Sequence, residues 1–211
     1  MRVLIHAVPK RMWYVEQFLA PSIEAQGLEP VIWCDREGYG NLESCLRSFE
    51  AGLADWHVQD DVLLCRDFAA KTMDLTGVVC GFCHYHSRDD KTLVGTVYPP
   101  DMWHGFPCMR IPIEMAQDFV RWLKGTFHTD PMVIYHITRN TGDDYLFHEY
   151  FEAVHGHETA TNISLVEHID WLIGGAVVNT FRGYICRSDL WDDEPLVDEL
   201  RARLKQLNLP P

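Results

Sequence analysis

The sequence predicts an α/β fold, in which an open, mostly parallel sheet is flanked by helices. In the first third of the chain, short apolar runs typical of buried strands alternate with stretches of helical spacing, which is the pattern of βαβ units. The 211 residues, of which 47% are hydrophobic and 23% charged, have the length and composition of one ordinary globular domain. We therefore expect a single domain with one well-buried core.

The elements of the first third follow in order. Residues 3–8 form an apolar first strand, and residues 13–25 have the spacing of a helix. A second apolar run at residues 30–34 predicts a strand parallel to the first. Asn41 can cap the next helix, whose apolar face continues to about Leu53.

The middle of the chain continues this alternation before its composition changes. A strand over residues 56–64 is interrupted by two adjacent carboxylates, and after a short helix another strand is expected at residues 77–83. Residues 91–112 are rich in Gly, Pro and aromatic residues, which is typical of a binding loop. Three further helices are expected over residues 112–124, 143–151 and 195–207.

The two adjacent carboxylates are Asp60 and Asp61. Side by side in an apolar run they repel each other and lose solvation, so they need water, a cation or positive side chains, and a divalent metal is a natural partner. The alternative is a solvated turn, in which Asp is common and the repulsion is screened. Ligands of open sheets bind beyond the carboxyl ends of strands, so Asp35 could bind a base or ribose there, or it could simply close a turn.

Residues 59–68 resemble the LEDDV…DF segment of glycosyltransferases with the GT-A fold. In that family a DxD-type motif holds a divalent metal against the diphosphate of a nucleotide-sugar, and Gln59, Asp60 and Asp61 fall on it. The neutral Gln59 replaces the first acid, which shifts metal binding towards Asp61. Residues 162–168 are similar to the PSLVxH segment that occurs late in several of these enzymes.

The resemblance implies a GT-A-like domain over residues 1–211, with a mixed, mostly parallel sheet. Its nucleotide-binding half would be residues 1–90, its acceptor-binding and metal-completing half residues 91–190, and its C-terminal helix residues 191–211. The implied activity is the metal-dependent transfer of a sugar from a nucleoside diphosphate donor, expected to be a UDP-sugar, to a hydroxyl acceptor.

The resemblance also implies roles for individual residues. Asp61 and His168 are the expected ligands of Mn²⁺ or Mg²⁺, because imidazole, carboxylate and phosphate oxygens suit these ions. His155 and His157 compete with His168 for that role. The expected donor-binding residues are Arg11, Asp35, Asp60 and Trp103. Trp103 offers an aromatic face for a sugar ring, whereas Arg11 could equally be a solvated residue at a helix start.

A second acidic pair, Asp143 and Asp144, follows Gly142 at the start of a predicted helix. In the resemblance this position lies near the acceptor, where a carboxylate takes the proton of the attacking hydroxyl in an inverting transfer. Asp144 is the first choice for this base, and Asp143 is the second. The alternative is that both acids only cap the helix and interact with its dipole.

A cysteine motif points to other chemistry. Residues 80–84 have the C-x-x-C-H spacing of haem attachment and, with His86, offer four zinc ligands. A strand would point Cys80 and Cys83 to opposite faces, which favours buried strand cysteines instead. The chain has seven cysteines, an odd number that does not indicate a disulfide framework and fits a reducing cytoplasm.

Composition also limits the partners. The formal net charge of −13 disfavours binding to the phosphate backbone of nucleic acids, although a local basic groove would allow it. No stretch reaches the roughly 18 to 20 apolar residues that span a bilayer, and the apolar N-terminal run is too short for a secretory signal. We therefore expect a cytoplasmic protein without a membrane partner.

Two other function classes stay open. A nucleotidyltransferase could use the same sheet and acidic site, but such enzymes usually carry a Gly-rich, basic phosphate loop after the first strand, and residues 7–11 are not one. A non-catalytic nucleotide- or carbohydrate-binding module would bind its ligand without Asp144, whereas an enzyme should lose turnover when that residue is replaced.

Overall fold

The computed structural model describes residues 1–82, 96–98, 107–139, 143–155, 160–162, 165–169, 173 and 202. The strands are β1 (Arg2–Ala7), β2 (Glu29–Cys34), β3 (Trp56–Gln59), β4 (Val62–Leu64), β5 (Val79–Cys80), β6 (Thr96–Tyr98), β7 (Cys108–Arg110), β8 (Ala160–Asn162) and β9 (Val166–His168). The helices are α1 (Met12–Tyr14), α2 (Ala20–Glu24), α3 (Asn41–Ala51), α4 (Phe68–Thr72), α5 (Ile113–Thr126), α6 (Pro131–Arg139) and α7 (Asp143–His155).

Seven strands form one mixed sheet in the order β2-β1-β3-β7-β5-β8-β6. Strand β1 pairs in parallel with β2 and β3, and β5 pairs in parallel with β8. Strand β7 runs antiparallel to β3 and β5, and β6 runs antiparallel to β8. Strands β1, β2, β3, β5 and β8 therefore share one direction, and helices flank the sheet. The predicted α/β class with a mixed sheet is confirmed.

The sheet separates two hydrophobic clusters, because successive side chains of a strand point to opposite faces. The first cluster joins β1 and β3 to the helical segment after β1 and includes Val3, Ile5, Trp56, Val58, Val15 and Leu19. The second joins α3, α5 and α7 and includes Phe49, Phe119, Phe147 and Tyr150. The rings of His6 and His57 face this second cluster, since they lie 6.2 Å and 4.9 Å from the ring of Phe49.

The helical segment after β1 changes its pitch along its length. A 3-10 turn (Pro9–Arg11) leads into α1, and a π-helical turn (Val15–Leu19) leads into α2. Pro21 has no amide hydrogen to donate to the carbonyl of Gln17, which accounts for the break in regular α-helical bonding. Within this segment the hydroxyl of Tyr14 donates to the carbonyl of Val62 at 2.6 Å, which ties the helix to β4.

A second, two-stranded sheet pairs β4 with β9 in antiparallel orientation. In this pairing Val62 lies opposite His168. The amide of Ile169 donates to the carbonyl of Asp61 at 2.8 Å, and the amide of Cys65 donates to the carbonyl of Leu165 at 2.9 Å. The late segment around His168 is thereby fixed beside the acidic pair.

The structure differs from the sequence-based expectations in several elements. The segment 91–112, interpreted as a binding loop, contains the strands β6 and β7, and its residues 91–95 and 99–106 lie outside the described residues. Helix α6 was not expected, although Asp130 precedes it and accepts a hydrogen bond from the amide of Val133 at 3.3 Å. Trp103 and most of the predicted helix 195–207 lie outside the described residues. Within the described residues, no helix combines the length and apolarity needed to cross a membrane.

Gly81 lies where β5, β7 and the segment before β9 pack closely against one another. Its amide donates to the carbonyl of Cys108 and its carbonyl accepts from the amide of Leu165, both at 2.9 Å. A Cβ at this position would lie 2.6 Å from Sγ of Cys108. We expect Gly81→Ala to lower the free energy of unfolding by about 1–3 kcal/mol through overpacking, measured by urea denaturation.

Gly125 provides the matched control. It lies in α5, and a Cβ there would meet no atom within 4 Å. Gly125→Ala should therefore raise the free energy of unfolding by up to about 1 kcal/mol, because Ala is the better helix former. Equal effects of the two substitutions would contradict the close contact at Gly81.

Candidate functional site

The acidic pair lies in the turn that joins β3 to β4. Strand β3 ends at Gln59 and β4 begins at Val62, so the two carboxylates follow the carboxyl end of a central strand. Asp60 is 3% exposed and Asp61 is 5% exposed. The alternative of a solvated turn is therefore wrong, and the charges need compensation from within the protein.

Arg11 supplies that compensation. Its Nη1 lies 2.7 Å from Oδ1 of Asp60 and 2.6 Å from Oδ2 of Asp61. The guanidinium is brought there by the 3-10 turn after β1, and the amide of Val8 donates to Oδ2 of Asp60 at 2.7 Å. Because Arg11 is only 7% exposed, the alternative of a solvated arginine is also wrong.

His168 completes the cluster from β9. Its Nε2 lies 3.2 Å from Oδ2 of Asp61, and its side chain keeps about a third of its surface exposed. The structure thus brings together Arg11, Asp60, Asp61 and His168, which we call the acidic cluster. His155 is bound elsewhere, since its Nε2 lies 3.4 Å from the hydroxyl of Tyr150.

The two carboxyl groups of the acidic cluster have different proton affinities. Burial raises the pKa of Asp60, against the charge of Arg11, and the charge of Asp61 raises it further. Burial also acts on Asp61, but the hydrogen bond and charge of His168 and the charge of Arg11 outweigh it, so the pKa of Asp61 is lowered. Asp61 is therefore the carboxylate that stays ionised most readily.

The expected divalent cation fits one side of this cluster. Among the described residues, Oδ1 of Asp61 is buried without a hydrogen-bond partner, and an imidazole lies beside the same carboxylate. Both oxygens of Asp60 accept hydrogen bonds, from Arg11 and from the amide of Val8, so Asp60 fits the cation less well.

The protein would supply only a few ligands to the divalent cation. The described part of the chain contains no group of three or more His, Cys, Asp or Glu side chains arranged to hold a metal. Asp61 and His168 would thus share the ion with substrate and water oxygens, as Mg²⁺ often does when it is bound through one or two carboxylates and a phosphate.

Asp35 closes a turn. Its Oδ1 accepts the amide of Tyr39 and its Oδ2 accepts the amide of Gly40, both at 2.9 Å. This geometry agrees with the turn alternative, and direct binding of a donor by Asp35 stays a prediction. Trp103, the fourth predicted donor-binding residue, lies outside the described residues.

An open cleft that the sequence did not reveal lies at the carboxyl end of β2. It has a volume of about 440 Å³ and is lined by Met12, Glu16, Ile32, Trp33, Cys34 and Arg36. Strands β1, β2 and β3 are parallel neighbours, so this cleft and the acidic cluster lie at the same edge of the sheet.

The second acidic pair begins α7, and its two members differ in burial. Asp143 is 6% exposed, and its Oδ1 accepts a hydrogen bond from Nδ2 of Asn41 at 2.8 Å. Burial, and secondarily the charge of Asp144, raise the pKa of Asp143 to about 7. Asp144 is half-buried, and its Oδ1 accepts the amide of Tyr145 at 3.0 Å. Burial thus distinguishes Asp143 from Asp144.

A small cavity adjoins Asp143. It has a volume of about 10 Å³, room for about one water-sized group, and its other described lining residues are His6, Asn41, Cys45, Phe49, His57 and Gln59. Nε2 of His6 lies 3.1 Å from Nδ1 of His57. Burial lowers the pKa of His6 to about 4 and also lowers that of His57, so both rings are neutral at pH 7. Sequence reasoning missed these histidines, because each occupies an ordinary position in an apolar strand.

The cysteine motif is described only in part. Cys80 lies in β5, it is 2% exposed, and burial raises the pKa of its thiol to about 11. This agrees with a buried strand cysteine. Cys83, His84 and His86, the other candidate zinc ligands, lie outside the described residues, as does His157.

Comparison with known protein families, with curated proteins and with solved structures found no match to this chain.

Replacing Arg11 tests the charge balance of the acidic cluster. Arg11→Ala leaves two buried carboxylates without their guanidinium, so we expect it to lower the free energy of unfolding by about 3–5 kcal/mol at pH 7. Arg47→Ala is the control, because its ion pair with Glu43 is exposed and should contribute at most about 1 kcal/mol. Urea denaturation of both variants measures the difference, and similar losses would contradict a dominant role of Arg11.

Asp143 should make stability depend on pH. Its pKa in the folded state, about 7, lies above its ordinary value of 3.8, so the folded state binds a proton more tightly than the unfolded state. The resulting stabilisation is complete below about pH 4 and is lost as the pH rises to 7. We expect Asp143→Asn to be more stable than the wild type above pH 7, by a few kcal/mol, with the gain shrinking towards pH 4. Thermal unfolding from pH 4 to 9 measures this gain, and a gain independent of pH would contradict the raised pKa.

Proposed function

We propose that this chain is a GT-A-like glycosyltransferase that transfers a sugar from a UDP-sugar donor to a hydroxyl acceptor. The acidic cluster carries the proposal. It combines an ionised carboxylate and an imidazole, which suit a divalent cation, with a guanidinium, which suits phosphate oxygens. These are the groups that binding of a metal-complexed nucleoside diphosphate requires.

The cleft at the end of β2 supports a nucleotide donor. Met12 and Ile32 offer apolar surface to a base or ribose, and Arg36 adds a positive charge at the cleft wall. Since the cleft and the acidic cluster share one edge of the sheet, a nucleoside in the cleft would direct its diphosphate towards Arg11.

The residues of the acidic cluster would then act on the diphosphate. Arg11 would donate hydrogen bonds to its oxygens, and Asp61 and His168 would hold Mn²⁺ or Mg²⁺. The bound cation would supply positive charge that stabilises the departing diphosphate. Asp60, which accepts from the amide of Val8, would keep the guanidinium in place.

The second acidic pair supports an inverting transfer. In such a reaction the acceptor oxygen attacks the anomeric carbon and its proton passes to a carboxylate. The bond from that carbon to the diphosphate oxygen breaks, and its electron pair leaves with the nucleoside diphosphate. Asp143 and Asp144 are the candidate bases. Asp143 is favoured, because its pKa of about 7 suits proton transfer at neutral pH and a cavity of about 10 Å³ adjoins it.

A reducing, cytoplasmic location is part of the proposal. Within the described residues, Cys34, Cys45, Cys65, Cys80 and Cys108 are free thiols. Burial raises the pKa of Cys65 to about 12, so this thiol stays protonated and unreactive at neutral pH.

Ligand-induced stabilisation tests the donor site. A ligand that binds only the folded state stabilises it by about 2.7 kcal/mol at 100 times its dissociation constant. We expect UDP with Mn²⁺ to raise the unfolding temperature by several degrees, and UDP alone or GDP with Mn²⁺ to have smaller effects. Asp61→Asn and His168→Gln should abolish the contribution of Mn²⁺, each compared with its own ligand-free baseline.

Glu43→Gln is the matched control, since Glu43 is an exposed residue of α3 that pairs with Arg47, and it should respond like the wild type. Absence of any shift with UDP and Mn²⁺ in the wild type would contradict the proposal. A non-catalytic binding module is the second candidate, because the acidic cluster is built from residues other than Asp143 and Asp144. If the UDP shift occurs but UDP-sugars are not turned over, this second candidate is correct.

A further inference from the structure

The first turn of α3 holds the carboxyl group of Asp143. Asn41, the first residue of α3, donates from Nδ2 to Oδ1 of Asp143 at 2.8 Å, across 102 positions of sequence. The thiol of Cys45, one turn further along α3, lies within hydrogen-bonding reach of the same carboxyl group. Two side chains of one helix therefore fix the orientation of an acid at the start of another.

The loop between β2 and α3 sets the position of Asn41. Asp35 accepts the amides of Tyr39 and Gly40, which closes this loop directly before Asn41. Gly40 has a φ of 87°, in the left-handed region that favours glycine, and the chain enters α3 immediately after it. A side chain at the end of β2 thus determines where the hydrogen-bond donor of Asn41 lies.

Among the described residues, four titratable groups line the cavity beside Asp143 or act on its pKa. They are Cys45 from α3, His6 from β1, His57 from β3 and Asp144 from α7. The two histidines are neutral at pH 7, and the thiol of Cys45 is protonated because burial raises its pKa. Three hydrogen bonds favour the ionised form of Asp143: those from the thiol of Cys45, from the backbone amide of Asp143 itself and from Asn41.

We infer that Asn41 and Asp35 are positioning residues for Asp143. Asn41 holds one oxygen of the carboxyl group, and Asp35 holds the loop that positions Asn41. The inference rests on the proposed function, in which Asp143 accepts the proton of the acceptor hydroxyl. Asp35, expected from the sequence to contact the donor, then acts on the base through the loop that it closes.

The experiment compares Asn41→Ala, Asn41→Gln and Asp35→Asn with the wild type. The titration of Asp143 is followed by the ¹³C shift of its carboxyl group, assigned with Asp143→Asn. Hydrolysis of UDP-glucose and UDP-galactose in the presence of Mn²⁺ gives kcat and KM, with water as the acceptor. Glu43→Ala is the control, because this exposed residue lies in the same turn of α3 and does not contact Asp143 in the described hydrogen-bond network.

For Asn41→Ala we expect a higher titration midpoint than the wild-type value of about 7, since a bond to the charged form is lost. We also expect kcat to fall about 10-fold with KM within twofold, because the loss affects the base and not the donor site. Asn41→Gln, which retains an amide donor, should recover part of both effects. Asp35→Asn should raise the titration midpoint and lower kcat as well, each by less than Asn41→Ala does.

Two failures can be told apart. If the titration midpoint of Asp143 is the same in Asn41→Ala and in the wild type, the positioning inference is overturned, whether or not a donor is hydrolysed. If the wild type shows neither stabilisation by UDP with Mn²⁺ nor hydrolysis, the proposed function fails, and that result comes from the wild type alone. An unchanged kcat in Asn41→Ala combined with a large loss in Asp144→Asn would overturn the inference and retain the proposed function.

Discussion

One guanidinium between two buried carboxylates is the constraint on which this end of the sheet depends. Nη1 of Arg11 lies within 2.7 Å of an oxygen of both Asp60 and Asp61, and all three residues are buried. Removing such charges from water costs several kcal/mol per ion unless partners compensate. The turn after β1, the turn between β3 and β4, and the pairing of β4 with β9 must therefore keep their relative positions. One carboxylate oxygen of Asp61 in this cluster has no hydrogen-bond partner among the described residues.

The surroundings of Asp61 and Asp143 shift the pKa values of these two carboxyl groups in opposite directions. At the acidic cluster, His168 and Arg11 lower the pKa of Asp61 against the effect of burial, which keeps this carboxylate ionised. At the start of α7, burial raises the pKa of Asp143 to about 7, which places it where a carboxyl group can exchange protons at neutral pH. Environments that separate the proton affinities of carboxyl groups are typical of sites that use one for charge and another for proton transfer. This separation is the physical basis of the proposal that one pair acts on the donor and the other on the acceptor.

Local patterns in the sequence were sufficient to predict the class of fold and part of the candidate site. The apolar runs around Asp60 and Asp61 predicted a strand end with an acidic pair, because burial and repulsion act within a few residues. The partner was not predictable in this way, since Arg11 is 49 positions from Asp60 and an arginine after a first strand is as often solvated. The contact between Asn41 and Asp143 could not be predicted from neighbouring residues either, because the local sequence indicated only a helix cap at Asn41. Strands of three residues, such as β9, are too short to show the alternation of apolar and polar residues. The metal-binding role of His168 was therefore predicted from the family resemblance alone.

The most direct measurement is a crystal structure of the protein with UDP and Mn²⁺, with the anomalous signal of manganese used to locate the ion. The account predicts an anomalous peak between the carboxylate of Asp61 and the imidazole of His168, with the diphosphate beside Arg11. The nucleoside should occupy the cleft that contains Trp33 and Arg36. A peak elsewhere, or a nucleotide bound away from this edge of the sheet while Arg11 still bridges Asp60 and Asp61, would contradict the account.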